Sequence, residues 1–399
     1  MKQTILLFSL LILATTACRH KNDTQSKAAI TIKMDGELEA IEDSVKKGNA
    51  LALQSQFKRV VYPKGQTQAV NQGIGIDAAD DPAIWYNNDK PEESRIIGTD
   101  KQAGLGLYNL SGELVHFTPA GRVNNVDLRY DFPIGDRKLA IAAATERNLN
   151  AIMLFEVNAD SLRLLSEPTQ LDSTLIDDAY GCCMYYSKIK DAYYAFVCGK
   201  NGTLQQWRLI EDKGQVKLEL MRNIQFSSQC EGMVADDEEG ILYVAEEGKA
   251  IWKMSAEEDA SDDKTMLNYS DSLNVHIAYD LEGLDIFYSG NNKGYLIASV
   301  QGNFSYAIFE KQGNNKYLGN FVIKSGATID GAEETDGLAV CNLNLGSQFP
   351  NGLLVVQDGF NTENGKDQPQ NFKLVDWAEI AKQYDTELCI APEYKWWKQ

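Results

Sequence analysis

Three short motifs carry an acid in the same setting. Gln229-Cys230-Glu231-Gly232-Met233, Asp280-Leu281-Glu282-Gly283-Leu284 and Glu334-Thr335-Asp336-Gly337-Leu338 each run polar residue, spacer, acid, glycine, aliphatic. A strand-like run follows each one. Stepping back by a similar interval reaches Tyr180-Gly181, then Asn124-Asn125-Val126-Asp127, then Asp80-Asp81-Pro82. The anchors Asp81, Asp127, Tyr180, Glu231, Glu282 and Asp336 are spaced 46, 53, 51, 51 and 54 residues apart. A second anchor follows each first one, where a strand-like run breaks into a polar turn. These are Asp100-Lys101, Glu146-Arg147, Gly199-Lys200, Glu246-Glu247, Gln301-Gly302 and Gln357-Asp358. If the repeats share an axis, the first ring is mainly acidic. The second is split between the bases Lys101, Arg147 and Lys200 and the group Glu247, Gln301 and Asp358. Carboxylates that converge on one opening repel one another unless protonated or bound to cations. Oxygen-only donors suit a hard cation such as Ca²⁺. The chain has three His, one of them His20 near the N-terminus, so a His-ligated zinc or iron centre is poorly supported. Bases beside such a cation cluster make a good phosphate site, because both neutralise phosphate oxygens.

The elements that must position these residues are β-strands. From about residue 75, short runs rich in Val, Ile, Tyr, Phe and Leu alternate with Gly, Asn and Asp turns, as at Arg95–Thr99, Leu139–Ala144, Tyr193–Cys198, Leu242–Ala245, Tyr295–Val300 and Leu353–Val356. Helical periodicity is scarce and Pro is rare. A period near 50 residues leaves room for four short strands in each unit. Six such units predict an all-β fold, a six-bladed β-propeller with four-stranded blades around a central channel.

The whole-chain charge at first argues against a phosphate substrate. Asp+Glu number 57 against 38 Lys+Arg, for a formal net charge of −19 over 399 residues. Such a polyanion should not bind nucleic acid or an anionic membrane face through its overall field. The N-terminus reads as an export leader: Lys2, an apolar run from Ile5 to Leu13, then small residues up to Cys18. The expectation is a signal peptide over 1–17 and a lipidated Cys18, with Thr15 where the usual lipobox has Leu. A polar tether over 18–65, with one amphipathic stretch at about 38–53, and a propeller over 66–399 would follow. The protein would then be exported as a monomer, held in the bacterial envelope by lipid alone or else secreted. Cys182, Cys183, Cys198, Cys230, Cys341 and Cys389 match no zinc or disulfide framework, and most are expected to be core thiols with at most one bridge.

Three common phosphatase strategies leave no motif here: no Arg-His-Gly-x-Arg, no His-Cys followed by Arg, and no convincing Asp-x-Asp nucleophile. Metal-assisted attack by water remains. Several segments then resemble one family, the β-propeller (alkaline, calcium-dependent) phytases, here in a bacterial lipoprotein-type form. They include Asp77–Trp85, Asn124–Pro133, Glu231–Asp237, Ala245–Glu247 with Ala250–Lys253, and Gly294–Asn303 with Ser305–Ile308. Thr335–Gly337, Gln357–Gly359 and Gln370–Lys373 complete the set. The likeness runs in order over roughly 70–385. It implies a 3-phytase, a phosphoric monoester hydrolase that removes phosphates from phytate (myo-inositol hexakisphosphate) through in-line attack of a calcium-activated water, with no covalent phosphoenzyme. Asp81, Glu231, Glu282 and Asp336 would hold several Ca²⁺ ions, with Asn124, Glu247, Asp280 and Asp330 as ligands there or nearby. Lys101, Arg147, Tyr180 and Lys200 would contact the phosphates, and Lys101, Arg147, Tyr180 and Glu231 would carry catalysis. Gln102 stands where better-known members have a second Lys, and Asn201 where an acid is usual. Two other readings compete: a calcium-dependent propeller hydrolase of the lactonase kind, and a non-catalytic envelope binding propeller. The first has no reason to place Lys101, Arg147 and Lys200 on one arc, and the second would not need this density of carboxylates on the axis.

Overall fold

The computed structural model describes residues 44–398. The leader, Cys18 and the start of the 38–53 stretch lie outside the described residues. Residues 44–54 are helical. Asn49–Gln399 forms one compact unit. No helix among the described residues is long and apolar enough to cross a membrane.

Six sheets follow one another along the chain, each built round four antiparallel strands. Blade one runs Ala79–Trp85, Arg95–Asp100, Gly104–Tyr108 and Leu114–Pro119; blades two to five open with the inner strands Val123–Ile134, Ala179–Ser187, Cys230–Asp236 and Leu281–Gly290. Blade six takes Leu338–Cys341, Leu353–Asp358 and Asn371–Asp376 from the C-terminal part and its outer strand, Gly65–Gln66, from the N-terminal part. That strand pairs antiparallel with the last one, Gly65 opposite Leu374 and Gln66 opposite Lys373, which closes the ring. Val60–Val61 adds a parallel fifth strand to blade five. Part of the stretch expected as tether up to 65 therefore supplies two strands.

The strands form because β-branched and aromatic residues alternate between faces, and both faces of a blade are covered by its neighbours. Accordingly, each apolar cluster is shared by two adjacent blades. Phe132, Ile141 and Leu154 of blade two meet Met184, Ala195 and Val197 of blade three, and Phe287, Ile297 and Ile308 of blade five meet Leu354, Val356 and Trp377 next to blade six. The described cysteines are all free, four of them buried and Cys389 exposed.

A repeated irregularity sets the site. In blades one to five the inner strand shifts register just after it begins, between Ala79 and Pro82, Val123 and Val126, Ala179 and Cys182, Cys230 and Met233, and Leu281 and Leu284. Such bulges re-aim side chains at strand ends. The pairs inside them are Asp80-Asp81, Asn124-Asn125, Tyr180-Gly181, Glu231-Gly232 and Glu282-Gly283. This corrects the repeat alignment: Asp80 and Asn124, rather than Asp81 and Asp127, are the equivalents of Tyr180, Glu231 and Glu282. The second bulge residue must be small where blades crowd. A Cβ at Gly232 would lie 1.9 Å from the Glu282 carbonyl oxygen, and one at Gly181 2.1 Å from that of Glu231. Gly232→Ala should therefore destabilise the fold by about 2–3 kcal/mol, as overpacking does. Denaturant titration checks it, and unchanged stability would show that the blades slide apart freely.

Asp127 lies farther down the axis. Its Oδ2 accepts from Arg129 Nη1 at 3.0 Å and from the Met184 amide at 2.8 Å, while Arg129 Nε donates to Asp237 at 2.9 Å. The Arg129 guanidinium also sits over the Trp396 ring, 5.1 Å from its centroid. These groups form a hydrogen-bonded network of their own, apart from the acidic mouth.

Candidate active site at the channel mouth

Each inner strand begins at the mouth, and each second strand returns to it, so the bulge residues and the residues after the second strands face one opening. The second strands end at Asp100, Glu146, Gly199, Glu246 and Val300, which places Lys101, Arg147, Lys200, Glu247 and Gln301 in equivalent positions. In blade six the second strand ends at Asp358, so Gly359 takes that place. Asp358 instead corresponds to Asp100, Glu146 and Glu246, buried acids that tie down loops. Glu146 accepts the Arg122 amide at 2.7 Å, and Asp358 accepts that of Glu333 at 3.1 Å.

Three carboxylates meet on one arc. One oxygen from each of Glu231, Glu247 and Glu282 lies within 4.8 Å of the others, and all three residues are buried. Glu231 also accepts from Asn124 Nδ2 at 2.7 Å, and Tyr180 and Glu282 are in hydrogen-bond contact with it. Burial, then the charges of Glu231, Glu247 and Asp336, push the Glu282 carboxyl well above its usual range. Burial and the Glu231 charge push Glu247 up to about 8. Burial, then Asp336, raise Glu231. Glu247 Oε2 accepts from Gln229 Nε2 at 2.9 Å, but Glu247 Oε1, Glu282 Oε2 and Asp80 Oδ2 are buried with no hydrogen-bond donor. Unpaired buried acceptors composed only of oxygen, two of them on residues of the converging trio, fit a hard cation.

The bases lie on the adjoining arc. Lys101 Nζ stands 2.8 Å from Asp77 Oδ1, 3.1 Å from Asp80 Oδ1 and 3.1 Å from Asp336 Oδ2. Burial opposes its charge, but Asp336, Asp80 and Asp77 outweigh that and hold its pKa well above the ordinary value. Asp336 accepts in addition from Gln301 Nε2 at 2.6 Å. Arg147 makes a two-pronged pair with Asp178, Nε to Oδ1 at 3.0 Å and Nη2 to Oδ2 at 2.6 Å. Its guanidinium and the Lys200 ammonium both pack against the Tyr180 ring, 5.3 and 4.4 Å from the centroid.

The expected residues distribute as follows. Lys101, Asn124, Arg147, Tyr180, Lys200, Glu231, Glu247, Glu282 and Asp336 share the mouth. Asp280 is exposed beside them, and its charge acts on Glu247. Asp81 takes the second bulge position, where its Oδ2 accepts the Val126 amide at 3.0 Å. Asp330 pairs with the buried Lys373, accepts from Thr362, and shares Lys373 with Asp358, which lies 3.0 Å from that ammonium. Asp77, Asp80, Asp178 and Gln229 were not singled out from the sequence. For Asp178 a signal existed, since it precedes Tyr180 by the same two residues by which Gln229 precedes Glu231.

Comparison with known proteins agrees with this architecture. A search of solved structures finds a calcium-binding protein, regucalcin, from Agrobacterium tumefaciens str. C58, at 11% identity, with TM-score 0.50 over 84% of this chain and 99% of that one. That likeness concerns the fold alone. A curated 3-phytase of Bacillus subtilis (strain 168) is 44% identical over 313 residues, 77% of this chain and 81% of its own length. The family model described as Phytase matches residues 30–395. With a propeller mouth that sets carboxylates beside Lys101, Arg147 and Lys200, the chain belongs to the phytase family.

Proposed function

We propose that this chain hydrolyses the phosphomonoesters of phytate at the channel mouth, with calcium bound by its carboxylates. The observation that carries this reading is the split mouth, with buried acids on one arc and three cations on the next. Glu231, Glu247 and Glu282, with Asp80 and Asp336 beside them, would hold calcium ions; Asp81 and Asp280 flank that set. Bound calcium would supply positive charge for phosphate oxygens and lower the pKa of a water.

The chain's own groups then do the positioning. Lys101, Arg147 and Lys200 bind the equatorial phosphate oxygens, where charge accumulates as the phosphorus–oxygen bond to the inositol breaks. Tyr180 keeps the Arg147 and Lys200 side chains apart and donates from its hydroxyl, which burial keeps protonated. Asn124 orients Glu231. Water adds to phosphorus, inorganic phosphate departs, and the inositol oxygen leaves with a proton.

The test is phosphate release from phytate by purified residues 19–399. Release with added calcium, its loss in EDTA and its return on recalcification are expected. No release in calcium, or release indifferent to chelation, overturns the reading. Lys101→Ala and Arg147→Ala should each lower turnover by about 10²-fold, as loss of one transition-state contact does, with the calcium-loaded fold retained by circular dichroism. Unchanged turnover in both would remove the basic arc from the mechanism. The proposal extends to an exported monomer attached to the envelope through lipid on Cys18. Metabolic labelling with a fatty acid, absent after Cys18→Ser, checks that attachment.

A further inference from the structure

We infer that Asp178 is a positioning residue for the reaction, acting through Arg147. The inference rests on the phytase reading of the mouth. Arg147 stands on blade two and Asp178 on the loop that enters blade three, so the pair crosses a blade boundary. Asp178 engages Nε and Nη2 together, at 3.0 and 2.6 Å. A planar guanidinium held along one edge by a carboxylate cannot rotate about its Cδ–Nε bond without losing both hydrogen bonds. The third nitrogen, Nη1, is left turned toward the mouth, where it lies 3.5 Å from Asn124 Oδ1. Asn124 in turn donates to Glu231. Asp178 therefore decides which Arg147 nitrogen is presented to a phosphate oxygen, and at what angle to the carboxylate arc.

The same grip recurs one blade on. Gln229 precedes Glu231 by two residues, as Asp178 precedes Tyr180, and Gln229 Nε2 holds Glu247 at 2.9 Å. The position two residues before a bulge anchor thus grips a side chain of the second ring. At blade three the gripped side chain is the arginine of the preceding blade. An acid next to an anion site is electrostatically unfavourable for ground-state binding, which a positioning role accounts for. Its removal should cost orientation, and so turnover, more than affinity.

The experiment is a double-mutant cycle with Asp178→Asn and Arg147→Ala on the calcium-loaded full-length mature chain. Alone, Asp178→Asn should lower kcat on phytate by about 10–100-fold, with KM unchanged or lower. In the Arg147→Ala background the same substitution should have almost no further effect, because its route of action is gone. Asp178→Glu, which keeps the charge and both acceptors, should recover part of the loss. Additive losses in the cycle, or a rise in KM with kcat unchanged, would overturn the assignment. Asn is nearly isosteric with Asp, so the fold is expected to persist. If melting shows otherwise, the Asp178→Glu comparison carries the test. If the unmodified chain releases no phosphate from phytate, the substrate reading fails by itself. The Asp178 assignment is then read from inorganic phosphate binding by calorimetry, which Arg147→Ala should weaken and Asp178→Asn should leave unchanged or tighter. A loss of binding in Asp178→Asn as large as that in Arg147→Ala would overturn it.

Discussion

Glu282→Gln should abolish the calcium-induced rise in melting temperature and reduce turnover by about 10³-fold or more, while leaving the calcium-free protein nearly as stable as before. Glu282 is crowded by Glu231 and Glu247, and burial pushes its carboxyl well above the ordinary range. Without calcium, that shift works in favour of its neutral form, and a carboxamide has nearly the same size and shape. The substitution therefore costs the calcium-free fold little. With calcium, the charge and the otherwise unpartnered Oε2 are what the site needs. A ligand that binds only the folded state stabilises it by about 2.7 kcal/mol at a free concentration one hundred times its dissociation constant. Losing one of three converging carboxylates should remove most of that at millimolar calcium. Differential scanning calorimetry with and without EDTA reads both effects. A full calcium shift in the Glu282→Gln protein would place the cation elsewhere.

The second large effect is a fall in calcium-free stability with rising pH, which added calcium opposes. Glu247 titrates near 8 in the folded chain against an ordinary value of 4.5. Burial, with charge from neighbouring acids, also raises Asp237 and Asp285 to about 7. Between those limits the folded state binds more protons than the unfolded state, so stability falls as pH rises from about 5 to about 8. Depressed groups act with the opposite sign. Hydrogen bonds from Ser227, Ser228 and Trp252 overcome burial and hold Glu246 low. That contribution is complete above the ordinary carboxylate range and is lost only in more acid solution, so it does not mask the fall. Calcium requires the mouth carboxylates to be deprotonated, and its affinity rises with pH. The calcium-induced stabilisation should therefore be larger at pH 8 than at pH 5. Urea titrations at both pH values, with EDTA or with calcium, test this. A chelated protein that gains stability from pH 5 to pH 8 would contradict the assignment of buried protonated acids.

Much of this site is legible in the chain because its marks are local. The acid-glycine-aliphatic motif recurs because each blade must bend a strand end past its neighbour's backbone. Gly232, with the Glu282 carbonyl 1.9 Å from where a Cβ would stand, shows why the glycine follows the acid. Strand runs, the period near 50 residues and the segregation of Lys101, Arg147 and Lys200 from Glu247 are likewise properties of short segments. They suffice for six blades and for a mouth with two signs of charge.

What failed to read from the sequence depends on register and on contacts between blades. Two-residue bulges make Asp80 the equivalent of Glu231, although Asp81 stands next to it and carries the same side chain. One residue of strand length puts Asp358 among the loop-tying acids and Gly359 at the mouth. Asp330 has the right chemistry for a cation, and only the fold shows that Lys373 meets it from another strand. Asp178 meets Arg147 across a blade boundary. By itself, then, the sequence determined the blade count, the acidic and basic arcs and most of the residues in them. Only the tertiary structure decided which of two adjacent acids meets Lys101 at the mouth and which partner each charge meets, because bulge register and blade-to-blade packing join residues that sequence periodicity does not relate.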